Sequence, residues 1–213
     1  MACKASRTDM NIGVFGGTFD PIHRGHIAAA QKVKSVLGLE MILFVPAGLP
    51  WLKADVPISS ARHRMEMVRL AIAGKRYFRV STTEVDRPGP SFTVDTIDIL
   101  QRQLGAGAKL CFILGSDVLS DLPRWKEPSR LIQICQLVAF TRPGFIPPPL
   151  EWLELSIPGI SKQVTFVEVP QVNVSASDIR RRVAQGASIR RMVPGAVERY
   201  ILEHGLYVSP EVV

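Results

Sequence analysis

Two histidines three residues apart, His23 and His26, stand behind a double glycine in the run Gly16-Gly17-Thr18-Phe19-Asp20-Pro21-Ile22-His23-Arg24-Gly25-His26. The chemistry this run offers is anion binding. Glycine lets the main chain approach a ligand closely. An imidazole donates a hydrogen bond whether neutral or protonated. The run follows an apolar stretch, Asn11–Phe15, and precedes a helical pattern, Gly25–Leu37, so the free N–H groups of a helix start would face the same anion. Spacing of i, i+3 brings both rings to one side. The run is neither GxGxxG nor GxxxxGK[ST], so dinucleotide and P-loop fingerprints are absent. Two histidines fall short of the three protein ligands zinc takes, and no metal site is expected. Taken alone, HxGH could be a pair of structural histidines. The surrounding residues favour phosphate.

A second segment has the same character. Val174-Ser175-Ala176-Ser177-Asp178-Ile179-Arg180 carries a capping box, Ser175 to Asp178, and predicts another helix start. Ile179 and Val183 would be its buried face and Gly186 its stop. Arg180, with the hydroxyls of Ser175 and Ser177, makes a second anion site, while Arg181 and Arg182 point to solvent. Lys53, held among prolines in Pro46–Pro57, is a third cationic candidate. Asp117 follows an apolar stretch directly, where a carboxylate can accept hydrogen bonds from ribose hydroxyls.

These groups need a scaffold that gathers distant segments. Asn11–Phe15, Met41–Val45, Phe78–Val85, Leu110–Leu114, Leu137–Thr141 and Val164–Val169 read as strands, several of them apolar throughout, as parallel strands buried on both faces are. Helical patterns alternate with them. Ser59–Ala73 has Ala61, Met65, Val68 and Ile72 on one face, and Phe92–Leu104 has Val94, Ile97, Leu100 and Leu104. Pro143–Pro158 breaks the alternation and has room for a short helix around Trp152. The expected fold class is α/β, a Rossmann-like doubly wound parallel sheet with helices on both faces. Residues 1–10 are expected to be a flexible extension, with Met10 an alternative start, and 11–213 one domain ending in a helical segment.

Composition limits the function. The 213 residues are 46% apolar and 21% charged, ordinary for a chain that buries a full core. No apolar run reaches the roughly 18 residues of a membrane span, and the first residues lack a signal-peptide core. Cys3, Cys111 and Cys135 form no CxxC pair, which fits a reducing compartment, with Cys111 and Cys135 buried in apolar stretches. Cytoplasm is the expected location. The net charge of +7 favours phosphate-rich partners without choosing among them.

The run GGTFDPIHRGH resembles the signature of the nucleotidylyl transferase superfamily, and its double glycine and full form resemble the bacterial nicotinate-nucleotide adenylyltransferase family. That resemblance implies ATP and nicotinate mononucleotide as substrates. His23 and His26 would contact phosphates, and Gly16, Gly17 and Thr18 would line the same pocket. The SASDIR segment resembles the superfamily's ISSTxIR, with Ala176 for the middle serine and Ser177 for the threonine. The Lys53 loop is similar to the family's PxxxPPHK, with Trp51 and Leu52 in place of proline and histidine. Pro88–Thr93 resembles GPSYT, and Gly115-Ser116-Asp117 with Leu122 and Trp125 resembles GxDxLxxLxxW. By the same resemblance Trp125 stacks on the pyridine ring, Thr93 lies near its carboxylate, and Arg142 matches a family position. The likeness runs from Gly13 to Tyr207 and is weakest over Pro143–Thr165. Magnesium is expected to arrive with ATP, without a dedicated protein site. No nucleic acid or membrane partner is expected, and a homo-oligomer is left open. The rivals are nicotinamide mononucleotide or phosphopantetheine as the acceptor and, from another class, a basic RNA-binding module, for which no RNP-type aromatic cluster or GXXG clamp is present.

Overall fold

Among the described residues six strands run parallel, in the order β3-β2-β1-β4-β5-β6. They are β1 (Met10–Gly17), β2 (Met41–Pro46), β3 (Phe78–Val80), β4 (Ala108–Gly115), β5 (Gln136–Thr141) and β6 (Val164–Glu168). The computed structural model describes residues 10–51, 57–141, 144 and 149–208. Connecting the strands are α1 (Arg24–Leu37), α2 (Ala61–Ile72), α3 (Thr93–Leu104), a 3₁₀ stretch (Ser116–Arg124), α4 (Pro128–Ile134) and α5 (Leu150–Ser156). The helices α6 (Ala176–Ala184) and α7 (Gly195–Glu203) follow β6. The doubly wound α/β expectation is met. The short helix around Trp152 is present as α5.

Strand side chains alternate between two apolar layers, as the period of two requires. Ile42, Phe44, Cys111 and Ile113 join a core with α1, α2, α6 and α7. Ile12, Val14, Leu43, Val45, Leu110, Phe112 and Leu114 join a second core with α3, α4 and α5. Cys111 and Cys135 are buried, and burial pushes both thiols up, to about 11 and about 12. Gly13 has no room for a side chain: an added Cβ would lie 2.7 Å from Ile113 Cδ1 and 2.9 Å from Leu39 Cδ1.

Some bounds and buried faces depart from the sequence reading. β1 begins at Met10, paired with Ala108, one residue before the expected strand. β3 ends at Val80 rather than Val85, because the hydroxyls of the next residues bond locally: Thr83 N–H donates to Ser81 Oγ at 3.3 Å, and the two hydroxyls lie 2.7 Å apart. On α2 the buried stripe is Arg64, Met67, Val68, Ala71 and Ile72, so Ala61 and Met65 sit at its half-buried margin. On α3 the buried positions include Val94, Ile97 and Leu100, and Leu104 is half-buried.

Candidate active site

In an open parallel sheet the crevice lies beyond the carboxyl ends of the strands, where the strand order reverses. Here that point falls between β1 and β4. A cavity of about 370 Å³ opens there, lined among others by Gly16, Gly17, Thr18, His23, His26, Thr93, Asp117 and Trp125. Eight residues singled out from sequence therefore border one space. Ser175, Ser177 and Arg180 do not line it; Arg180 instead bonds the carbonyl of Asp20, the chain neighbour of the lining residue Phe19. Lys53 and Arg142 lie outside the described residues.

The loop between β1 and α1 is shaped by packing. A Cβ on Gly16 would lie 2.7 Å from Phe112 Cζ, and one on Gly17 would lie 3.0 Å from Phe19 Cζ. Phe19 adopts a left-handed backbone, φ 51°, unusual for a bulky residue. Its ring is buried edge-on against Phe15 at 5.6 Å and His26 at 5.2 Å. His26 thus rests on an aromatic floor that excludes water, where its hydrogen bonds to charge are stronger.

The two histidines themselves cap α1. His23 is the N-cap, its backbone extended, and the two side chains bond reciprocally to the first-turn backbone. The rings stack with centroids 3.7 Å apart and planes at 19°. His26 Nδ1 accepts the His23 N–H at 3.2 Å. In the neutral ring this puts the proton on Nε2, the outer nitrogen, as a donor. The first turn of α1 contains no acidic residue to compete for the helix dipole.

At α6 the N-cap is Ser175, whose Oγ accepts the Asp178 N–H at 3.1 Å. The Asp178 carboxylate pairs with Arg181 and Arg182 at the surface. Ile179 and Val183 are buried, and Gly186, φ 67°, follows the helix end. Arg180 crosses to the first loop: Nη1 donates to the Asp20 carbonyl at 2.7 Å, and Nη2 lies 3.4 Å from Ser177 Oγ. The segments that supply histidine and arginine, 160 residues apart at that bond, therefore meet.

At the far end of the cavity Trp125 packs edge-on to Phe112, centroids 5.9 Å apart, with its indole N–H buried and without a hydrogen-bond partner. Thr93 opens α3, and Asp117 opens the 3₁₀ stretch. A Cβ on Gly115 would lie 2.3 Å from Asp117 Oδ1, so glycine there lets the carboxylate fold over the strand end.

Four residues outside the sequence-based set tie this site together. Asp20, 3% exposed, accepts from Ser59 N–H at 3.2 Å and from Tyr207 Oη–H at 2.6 Å. Burial, joined by the bond to Asp20, pushes the Tyr207 phenol far up. Arg64, 1% exposed, donates to three main-chain carbonyls, Ser59 at 2.9 Å, Thr18 at 2.8 Å and Gly48 at 3.1 Å. Burial lowers its affinity for the proton, opposed by the charge of Asp20. Glu84 lines the cavity and is 7% exposed, and burial raises its carboxyl. Asp20 lay inside the quoted motif without a role. The sequence signal for Arg64 was an arginine at helical spacing with Met67, Val68 and Ala71.

Residues 14–182, from the histidine-capped helix start at the switch point to the later helix that carries Arg180, match the Cytidylyltransferase-like family model, and the chain is a nucleotidyltransferase. Relatives narrow this further. A protein named "Probable nicotinate-nucleotide adenylyltransferase" from Dehalococcoides mccartyi is 46% identical over 198 residues, covering 93% of this chain and 97% of the relative. One of the same name from Thermus thermophilus is 48% identical over 198 residues, covering 93% and 100%. The chain belongs to the nicotinate-nucleotide adenylyltransferase family. Its fold matches that of Plasmodium falciparum nicotinic acid mononucleotide adenylyltransferase complexed with NaAD, TM-score 0.76 at 20% identity, over 93% of this chain and 97% of that one.

Proposed function

We propose that this enzyme transfers the adenylyl group of ATP to nicotinate mononucleotide, giving nicotinate adenine dinucleotide and pyrophosphate, a step of NAD biosynthesis. The supporting observation is the continuous cavity that runs from the stacked His23–His26 pair to Trp125, Thr93 and Asp117. One end offers donors for a triphosphate. The other offers an aromatic plane and polar groups for a pyridine nucleoside. The family relatives carry the same activity in their names.

In this reading a phosphate oxygen of the mononucleotide attacks the α-phosphorus of ATP. The bond from that phosphorus to the bridging oxygen breaks, and pyrophosphate leaves with the electron pair. The attacking oxygen is already ionised at neutral pH, so no side-chain base or covalent nucleophile is required. Catalysis rests on in-line positioning and on neutralising charge at the transferring group. His26 donates from Nε2, and His23, Lys53 and Arg180 supply further donors and positive charge. Gly16, Gly17 and Thr18 border the triphosphate, while Ser175 caps α6 and Ser177 stands beside Arg180. Trp125 stacks on the pyridine ring, Thr93 neighbours its carboxylate, Asp117 accepts from the ribose, and Arg142 adds a cation to the mononucleotide.

Magnesium enters with ATP in this reading. Of the two carboxylates lining the cavity, Glu84 is engaged by hydroxyls and Asp117 remains, which suits an ion held mostly by phosphate oxygens and water. The enzyme acts in the cytoplasm. Consistent with that location, no helix among the described residues is long and apolar enough to cross a membrane.

Pyrophosphate release from ATP, measured with nicotinate mononucleotide, nicotinamide mononucleotide and phosphopantetheine in parallel, tests the assignment. Turnover with the first is expected to exceed the others. A preference for phosphopantetheine, or release with none, would overturn it. Trp125→Ala is expected to weaken nicotinate mononucleotide binding about tenfold or more, since stacking on an aromatic plane contributes ~1–3 kcal/mol per base, with ATP binding little changed. Equal losses for both substrates would remove the stacking role.

A further inference from the structure

The wall of the cavity formed by the segment after β2 is held at a single residue, Gly48. Gly48 N–H donates to Ser91 Oγ at 2.9 Å, while the Gly48 carbonyl accepts from Arg64 Nη2 at 3.1 Å. Leu49 N–H also donates to Ser91 Oγ, at 3.2 Å, and Ser91 N–H returns a bond to the Leu49 carbonyl at 2.9 Å. The Ser91 hydroxyl, its oxygen accepting twice, faces the Glu84 carboxylate and opposes the rise that burial causes there. Thr96 Oγ1 donates to the same carboxylate, to Oε1 at 2.7 Å. There is no slack at this point: a Cβ on Gly48 would lie 2.1 Å from the Glu84 carbonyl oxygen. Two residues further on, Pro50 and Trp51 line the cavity beside Thr93, and Trp51 leans on Phe92 with ring centroids 6.1 Å apart.

A buried arginine and a buried glutamate are expensive to desolvate, and apolar packing of the same volume would often stabilise a fold as well or better. Their arms go to main-chain groups of the cleft's own loops. We propose that Arg64 and Glu84 are positioning residues that pin Gly48 from opposite sides and so set where the Pro50–Trp51 wall stands against the mononucleotide. The two do different work. Glu84 acts through Ser91 and Thr96 on the mononucleotide end alone. Arg64 also holds the Thr18 carbonyl in the first phosphate loop, and it couples that wall to the ATP end. Trp51 lines the cavity, so its indole is the side chain that the pin carries into that space.

This inference rests on the adenylyl-transfer reading, and the experiment separates the two. Steady-state kinetics and calorimetric binding of ATP and of nicotinate mononucleotide are measured for the parent chain, Glu84→Gln, Ser91→Ala and Arg64→Lys. The last keeps the charge but loses the planar fork. Thermal unfolding gives the folded fraction. For Glu84→Gln and Ser91→Ala the expected result is a rise of about tenfold in KM and Kd for the mononucleotide, with ATP values within about threefold. Arg64→Lys is expected to lower kcat by about a hundredfold and to shift both substrates, as a misplacement of about 1 Å can do. If Arg64→Lys does not fold, the other two variants decide. Variants that unfold at lower temperature yet keep parental kcat, KM and Kd per folded molecule would overturn the pin and leave only a structural role. A parent chain that binds both nucleotides without releasing pyrophosphate would count against the function, while the binding split would still decide the pin.

Discussion

The amino ends of α1 and α6 are joined through the Asp20 carbonyl, but they are not two copies of one device. At α1 the capping groups are the histidines, the first turn has no acid, and His26 accepts the His23 N–H at Nδ1, which makes Nε2 its donor nitrogen. At α6 the cap is a serine already engaged with the Asp178 N–H, and an aspartate in the first turn offsets the helix dipole. What α6 sends toward the first loop is a side chain, Arg180, braced on the Asp20 carbonyl. The first helix start presents its own backbone and caps. The second presents an arm.

If that difference is real, substitutions at the two ends should fail differently. His26→Ala carries the largest expected effect, a fall in kcat of about a hundredfold or more, roughly 3 kcal/mol, by analogy with loss of one preorganised donor to a developing charge. A folded His26→Ala protein with parental kcat would remove the α1 half of the comparison. Arg180→Ala comes next. Loss of a charged hydrogen bond, about 1.5–3 kcal/mol, should lower kcat/KM for ATP by about tenfold or more. Equal activity of Arg180→Ala and the parent would show the arm to be only a brace for the loop. Ser175→Ala should matter least to catalysis. A lost N-cap costs about 1 kcal/mol of stability, visible in thermal unfolding, while kcat stays within about twofold. A large kcat loss with unchanged stability would mean that Ser175 touches phosphate, making the two helix starts alike after all.

Sequence revealed the residues that line the cavity better than those that brace it from behind. His23, His26 and Asp117 stood out by their places at a helix start and after a strand end, where a doubly wound fold puts its chemistry, while Thr93 and Trp125 entered through the resemblance, and all five line the cavity. The apolar runs of β1, β2, β4 and β5 were legible for the same reason, being buried on both faces. Arg64 was not. Its burial depends on three carbonyls from segments that meet only in the folded molecule, and a helical wheel treats an arginine as solvent-facing. Glu84 was missed likewise, because it was counted into a strand that local hydroxyl bonding stops at Val80. The capping box at Ser175–Asp178 was half legible: the serine caps, but the aspartate side chain turns to Arg181 and Arg182, a competition the spacing alone could not rank.

The bond from the Tyr207 hydroxyl to Asp20 bridges 187 positions of chain, and Tyr207 adopts a left-handed backbone to make it, φ 65°. Synthesis delivers the amino end first. While a ribosome is still making the last helix, the glycine-histidine loop therefore lacks one of its clasps, and a nascent chain cut short before that tyrosine would carry every histidine of the motif with the latch still open. The glycine-histidine loop is thus fully clasped only once the chain has been made through Tyr207.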